Sequence, residues 1–258
     1  MSEDSLFSVD SVTRRIHSDS SMFAGGIRAL LQQALHPEAM AGVAQNSNFR
    51  EDAWGRLQRT GDYVGLLTFG PKNQAEALAA RVRGIHSKLG LDDPHLLLWV
   101  HMSMVDSFLD CAVRSGLELS QSEQDQYLAE MVIFAELVGI DANEVPASVP
   151  QMKNYFQAIQ PELAASEDAK RAALFLTFPP MPTAVRLGTL AAPAWAGVAA
   201  IATASLPNWA RNLYHLPSFP GHVRATDLAL RQLRSSIRLI PESWLGNPSS
   251  KFAQGVSV

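Results

Sequence analysis

The sequence contains a single cysteine, Cys111, and no Cys-x-x-Cys-His motif. One thiol cannot build a disulfide framework, and the missing motif excludes covalent haem attachment. Because Cys111 falls in an apolar stretch, we expect a buried thiol in a reducing compartment. The N-terminal segment is polar and acidic, without the apolar core of a signal peptide. These features together predict a cytoplasmic protein.

An excess of positive charge is also missing. The chain has 21 Lys and Arg residues against 25 Asp and Glu residues, a formal net charge of −4, and its arginines are scattered. A nucleic-acid-binding surface needs a basic patch to neutralise phosphates. Nucleic acid is therefore not an expected partner.

Clear period-2 strand patterns and long runs of strongly hydrophobic residues are absent as well. The most apolar segment, Leu187 to Leu206, has transmembrane length, but it is built from Ala, Gly and Thr and contains Pro193. Alanine contributes little to membrane insertion. We therefore expect a buried or membrane-touching helix there rather than a membrane span, and its small-residue faces can pack within one chain or between chains of a homo-oligomer.

Helical periodicity dominates the rest of the chain, which predicts an all-α fold. With 258 residues, 47% of them hydrophobic, the chain is large enough for a sizeable core. We expect an N-terminal helix or extension at 1–20, one globular multi-helix domain at 21–245, and a C-terminal tail at 246–258.

The common catalytic motifs are missing. The sequence has no Gly-x-Gly-x-x-Gly, no phosphate-binding Gly-x-x-x-x-Gly-Lys, no His-Glu-x-x-His and no Gly-x-Ser-x-Gly. It also lacks the Glu-x-x-His pairs of di-iron carboxylate bundles. What remains is a set of histidines in apolar helices, a combination that suits an imidazole bound to the iron of a large apolar cofactor.

The stretch from Arg81 to Cys111 carries the most informative of these histidines. His86 follows Val82 at i+4, on the stripe that a helix turns to the core. His101 and Asp106 lie in the next, almost wholly apolar helix, which begins at a proline after two aspartates. Burying such polar groups needs a structural or functional reason.

A second cluster lies at 55–60, Gly-Arg-Leu-Gln-Arg-Thr. Arg56 and Thr60 are four residues apart on a predicted helix, and Arg59 lies three residues after Arg56, so two guanidinium groups and a hydroxyl share one side. The residues by themselves also allow ordinary surface ion pairs with Asp52 or Asp62.

The other histidines leave alternatives open. His36 and His101 suit either a hydrogen-bonded structural role near Asp106 or the lining of a cofactor pocket. A zinc or non-haem iron hydrolase using His36, His86, His101 and Asp106 is a further alternative, although its ligand spacing matches no known pattern. Residues near the predicted ends of helices are expected to be exposed or to cap those ends; they are His17, His95, His215 and His222.

Several blocks occur in the order seen in a known family: Gly-Gly-Ile-Arg-Ala-Leu-Leu-Gln-Gln-Ala-Leu-His-Pro (25–37), Ala-Gly-Val-Ala (41–44), Phe-Arg-Glu-Asp (49–52), Gly-Arg-Leu-Gln-Arg-Thr (55–60), Arg-Val-Arg-Gly-Ile-His (81–86) and Leu-Leu-Leu-Trp-Val-His-Met-Ser-Met-Val-Asp-Ser (96–107). In this order the chain resembles the rubber-oxygenase catalytic-domain family, which includes latex-clearing protein and the mycophenolate-pathway oxygenase. The likeness extends to about residue 240.

The resemblance implies an all-helical fold enclosing a haem b pocket, with His86 as the proximal ligand of the iron. It also implies that Arg56, Arg59 and Thr60 cover the distal or propionate side. From their own positions in the sequence, His36 and His101 are further candidates for lining this pocket. Latex-clearing protein has a lysine at the position of Arg59, and a guanidinium cannot donate a lone pair to iron. The sixth position is therefore expected to hold water, another side chain, or nothing.

The family's catalytic glutamate has no clear equivalent in this chain, because Glu38 is the only acid near its expected place. A double-oxygen insertion of the rubber-cleaving type is therefore not predicted. Our hypothesis is a haem b-dependent oxygenase or oxidase that uses O2 or peroxide on an apolar small molecule. The alternative is a haem- or lipophile-binding protein without turnover.

Overall fold

The structure, a computed structural model, describes residues 5–46, 53–181, 183–239 and 252. Within these ranges it contains α-helices and short 3-10 turns, and no β-strand. The α-helices are α1 (Val12–His17), α2 (Met22–Gln33), α3 (Pro37–Asn46), α4 (Ala53–Phe69), α5 (Lys72–Leu89), α6 (Pro94–Arg114), α7 (Gln121–Val138), α8 (Val149–Ile159), α9 (Glu167–Thr177), α10 (Thr183–Gly188), α11 (Ala191–Ser205), α12 (Asn208–Leu213) and α13 (His222–Arg238). The predicted all-α class is confirmed, while an enclosed haem pocket stays a prediction.

The centre of the fold is α6, which is apolar on nearly all sides. Asp93 caps its N-terminus by accepting a hydrogen bond from the backbone N–H of His95, and Pro94 occupies the first turn. Trp99, Met102 and several other α6 side chains are fully buried. The helix packs along α2 and also contacts α7 and α13, so a helix without a polar face is surrounded by other helices.

By length and composition, α6 is also the one helix among the described residues that could cross a membrane, with a mean hydropathy of 1.4. However, 61% of that apolar window is buried inside the structure. The core helix of a soluble protein has the same character.

The apolar segment near the C-terminus divides into α10 and α11 and does not form one long helix. The helix α11 packs against α2 and α13, with Ala199, Ala202 and Ser205 completely buried. Small side chains let two helix backbones approach closely. These small residues therefore pack within the chain.

Local sequence signals set several helix ends. Ser120 and Glu123 form a capping box at the start of α7. The same helix ends at Gly139, whose φ of 103° lies in the left-handed region that favours glycine.

The first helix, α1, is held by contacts that lie far away in the sequence. Glu130 of α7 accepts hydrogen bonds from the backbone N–H groups of Val12 and Thr13 and from the Thr13 hydroxyl. A carboxylate in this place satisfies free N–H groups at a helix N-terminus. Glu130 thus fastens α1 to the core.

His17, expected to be exposed or capping, is buried at the end of α1, so that prediction is wrong. Its Nδ1 lies 2.7 Å from the Thr68 hydroxyl and its Nε2 lies 3.1 Å from the Tyr127 hydroxyl. Since Thr68 donates its only hydroxyl proton to the Val64 carbonyl, it must accept from Nδ1–H. Because burial lowers its pKa to about 3, His17 is a neutral imidazole whose Nε2 accepts a hydrogen bond from the Tyr127 hydroxyl.

Candidate functional site

His86 lies in the last turn of α5, a helix that begins after Pro71 and ends at Gly90 in the left-handed conformation. Its side chain is half-buried, and its Nδ1 is buried without a hydrogen-bond partner among the described residues. Burial lowers the pKa of His86, and the nearby Asp92 opposes this shift only in part. The imidazole is therefore neutral near pH 7, the form that binds metal ions.

The surroundings of His86 differ from the buried stripe predicted from the sequence. Ile85 is 46% exposed and Leu89 is 43% exposed, so the end of α5 presents apolar side chains at the surface. An imidazole beside exposed apolar groups suits contact with an apolar ligand. Leu89 therefore does not face the core.

The helix that carries Arg59 and Thr60, α4, packs against α5. Only Gly70 and Pro71 separate the two helices. The 55–60 cluster lies in the first half of α4 and His86 lies in the second half of α5, so both are far from this connection. The side chains of Arg59 and Thr60 are exposed, and the side chain of Arg56 lies outside the described residues. The fold thus brings the helices of the two predicted clusters side by side.

Tyr63, one turn after Thr60, also lies between these helices. Its hydroxyl is buried without a partner among the described residues. Burial raises its pKa to about 12, with a smaller opposite effect from Arg83 of α5. Tyr63 is a protonated donor that the sequence analysis did not single out.

His101, in the middle of α6, is buried, and its Nε2 has no hydrogen-bond partner among the described residues. Burial lowers its pKa to about 4. Among the described residues it makes no hydrogen bond with Asp106, so this one of the two alternatives for His101 is not observed.

Asp106 instead pairs with Arg28, a residue that sequence reasoning missed. The Arg28 guanidinium is 2.8 Å from the Asp106 carboxylate, and it also donates to the Ser107 hydroxyl and the Ser205 carbonyl. Burial alone would lower the pKa of Arg28, but the carboxylates of Asp106 and Asp110 outweigh this effect and raise it. Asp106 therefore has a structural role in joining α2 to α6.

His36 lies between α2 and α3, away from Asp106 in its contacts. It meets His95 of α6 and Glu162 of a 3-10 turn, Gln160–Glu162, and the three potential ligand atoms lie within 4.8 Å of one another. His95 was expected to be exposed and is about half exposed. Its pairing with Glu162 has no signal in the sequence, because the three residues are far apart in the chain.

One surface pocket contains none of the predicted site residues. It is lined by Asn208, Ser218, Phe219, Gly221, His222, Val223 and Arg224. The candidate haem site is therefore the surface at the ends of α4 and α5, where a neutral imidazole with an unpaired nitrogen lies beside exposed apolar side chains. These features fit a haem, because its iron takes a neutral nitrogen donor and its porphyrin covers apolar groups.

The chain matches a known protein family over most of its length. A family model described as "ER-bound oxygenase mpaB/B'/Rubber oxygenase, catalytic domain" matches residues 14–239, a range that contains every predicted site residue. No curated protein and no solved structure matches the chain.

Proposed function

Because the chain belongs to the ER-bound oxygenase mpaB/B'/rubber oxygenase catalytic-domain family and is an enzyme of the oxygenase type, we propose that it is a haem b-dependent oxygenase of an apolar small molecule. O2 is its proposed oxidant, with peroxide as the other candidate. The observation that carries the haem assignment is the neutral, half-buried His86, whose Nδ1 has no hydrogen-bond partner in the part of the chain that the structure describes.

In this proposal His86 binds the haem iron from the end of α5. Burial keeps the imidazole unprotonated, so it does not compete with a proton for the metal near neutral pH. The exposed side chains of Ile85 and Leu89 lie next to His86 in the chain and would be covered by the bound group. Once bound, haem supplies an iron centre that reacts with oxygen, chemistry that amino-acid side chains do not provide.

The α4 residues have the proposed role of contacting the haem propionates or the oxidant. Arg59 is permanently charged and exposed, so it can hold haem propionates or stabilise negative charge on the oxidant. Thr60 adds a hydroxyl donor on the adjoining position, and Arg56 is the second guanidinium of the predicted cluster. These three side chains would act as hydrogen-bond donors to the bound components and not as iron ligands.

The proposed substrate is apolar because Ile85 and Leu89, close to His86 at the end of α5, expose apolar side chains. We further propose a cytoplasmic location, on the ground that the single cysteine is free and buried, as expected for a protein of a reducing compartment.

An absorption spectrum of the purified full-length protein, reconstituted with haem, tests the cofactor. The wild type should show a Soret band at one haem per chain. His86→Ala should be recovered with little haem, because the iron loses its strong protein donor. Lys88→Ala is the matched control, since Lys88 is an exposed residue of the same helical turn and its loss should leave the band unchanged.

Oxygen uptake by the reconstituted protein, with dispersed squalene and naphthalene as apolar probes, then separates an oxygenase from a haem-binding protein. Uptake that depends on His86 and on a probe supports the proposal. A full-intensity, unshifted Soret band in His86→Ala contradicts the ligand assignment, and a haem-loaded wild type that consumes no oxygen with either probe contradicts the proposed activity.

A further inference from the structure

A second group of ligand-type side chains lies outside the His86 region. His36 follows the end of α2, His95 lies in the first turn of α6, and Glu162 ends the 3-10 turn after α8. The Glu162 Oε2 atom is 2.7 Å from His95 Nε2 and 3.5 Å from His36 Nε2. Three segments that are distant in sequence therefore direct one nitrogen or oxygen atom each toward the same point.

His36 is the unusual member of this group. It is only 4% exposed, yet neither ring nitrogen makes a hydrogen bond within the described part of the chain. Its contact with Glu162 at 3.5 Å is too long for a good hydrogen bond. Buried polar groups are nearly always paired in folded proteins, so an unpaired imidazole that faces two other ligand-type groups points to a ligand.

The backbone around the three residues is held in place by contacts that do not involve their side chains. The Trp99 indole donates to the Gln33 carbonyl at 2.9 Å, and the Gln33 amide donates to the Val100 carbonyl at 3.0 Å. The backbone N–H of Ala164 donates to the Leu35 carbonyl at 2.9 Å. The end of α2, the start of α6 and the segment after Glu162 are thus mutually fixed, and a metal ion would find the ligands already assembled.

The spacing of the atoms suits a tetrahedral metal ion. With metal–ligand bonds of about 2.0–2.1 Å, two ligand atoms of a tetrahedron lie roughly 3.3–3.4 Å apart. The separation of 3.5 Å between His36 and Glu162 is close to this value. His95 and Glu162 need to separate by about 0.6 Å from their 2.7 Å contact, a small movement for two side chains that are half exposed.

The donor set also restricts the kind of metal. Two imidazoles and one carboxylate suit zinc and other first-row transition ions, whereas Mg²⁺ and Ca²⁺ prefer all-oxygen sites. The carboxylate offsets one of the two positive charges. Because His95 and Glu162 face solvent, water can complete the coordination.

We propose that His36, His95 and Glu162 form a binding site for a divalent transition-metal ion, with zinc as its best-suited occupant. The site links α2, α6 and the turn after α8, so the bound ion stabilises the packing of these segments. It is separate from the His86 region, and its existence does not depend on haem binding.

Zinc titration of the untagged full-length protein, after removal of metals with a chelator, tests the site. Calorimetry should show one zinc ion per chain, and zinc at about 100 times its Kd should raise the Tm by roughly 5 °C or more. Mg²⁺ at the same concentration should do neither. Cobalt, used as a spectroscopic substitute, should produce the visible absorption of a tetrahedral site.

The variants His95→Ala and Glu162→Gln remove the two exposed ligands and leave the buried His36 in place, so both should fold. Each should weaken zinc binding by at least about 100-fold, beyond the 10- to 100-fold effect of losing a supporting residue. Glu167→Gln and His215→Asn are the matched controls, because both residues are exposed and lie outside the cluster. These controls should bind zinc as the wild type does.

Zinc binding with unchanged affinity in His95→Ala and Glu162→Gln would overturn the proposal, as would a wild type that binds no zinc. Both measurements follow the added metal and not the Soret band. A negative result for haem binding therefore does not affect the metal-site proposal, and a negative result for zinc binding does not affect the haem proposal.

Discussion

Lowering the pH from 7 to 5 should destabilise this protein through two buried histidines. Burial lowers the pKa of His17 to about 3 and that of His101 to about 4, against about 6.5 in an unfolded chain. The unfolded state therefore binds more protons than the folded state below pH 6.5, so stability falls as the pH falls. The loss continues until the pH reaches the folded pKa of each residue.

The magnitude follows from the width of this pH interval. At pH 5, about 1.5 pH units below its ordinary pKa, an unfolded histidine is protonated, whereas the buried histidine of the folded state is not. At 1.36 kcal/mol per pH unit, this difference lowers the free energy of unfolding by about 2 kcal/mol for each histidine. Two histidines give about 4 kcal/mol. For a chain of this size, that loss corresponds to a decrease in Tm of roughly 8–16 °C.

Urea unfolding at pH 7, 6 and 5, followed by circular dichroism, measures the effect directly. Other groups also titrate in this range, so His101→Gln isolates one contribution. Between pH 7 and 5, the free energy of unfolding of this variant should fall by about 2 kcal/mol less than that of the wild type, whatever its stability at pH 7. His215→Asn, at an exposed histidine, should keep the wild-type pH dependence.

Two outcomes would refute this reasoning. One is an equal loss of stability in wild type and His101→Gln, because a buried neutral histidine must contribute to the slope. The other is a stability that rises toward pH 5, which would require the folded state to bind the additional protons.

Two further predictions concern arginines. Arg28→Ala should lower the free energy of unfolding by about 3–5 kcal/mol, because it leaves the Asp106 carboxylate without its buried cation. Arg171→Ala, which removes an exposed pair with Asp168, should lower it by less than about 1 kcal/mol in the same urea experiment. An equal effect of both substitutions would contradict the structural role of Arg28. If haem binds as proposed, Arg59→Ala should weaken cyanide or azide binding to the ferric protein by about 1.5–3 kcal/mol through loss of a charge-assisted hydrogen bond, measured by spectral titration, and unchanged affinity would exclude Arg59 from the oxygen side.

Much of the fold could be predicted from the sequence because helix formation depends on nearby residues. The helix α6 begins at the proline after two aspartates, where the local signals place it, and α7 begins with a capping box formed by Ser120 and Glu123. Caps and periodicity act within one or two turns, so a linear pattern contains them. The family, too, was recognisable from short blocks in fixed order.

The partners of the buried polar groups could not be predicted in this way. Asp106 pairs with Arg28 across 78 residues, and Glu130 caps α1 across more than 100 residues. The segment from Leu187 to Leu206, expected to form one helix, is divided between the end of α10 and α11. Which side chains meet depends on how each helix is rotated and at what angle it crosses its neighbours, and no local pattern specifies either quantity.

For the candidate sites, too, some features follow from the sequence and others only from the tertiary structure. The sequence by itself determined the helical class, the histidines worth testing and the family to which they belong, because residue types and spacings are linear properties. Only the tertiary structure decided that Leu89 is exposed beside His86, and that His36, His95 and Glu162 meet at one point. The physical reason is that exposure and convergence arise from the packing of helices that are distant in the chain.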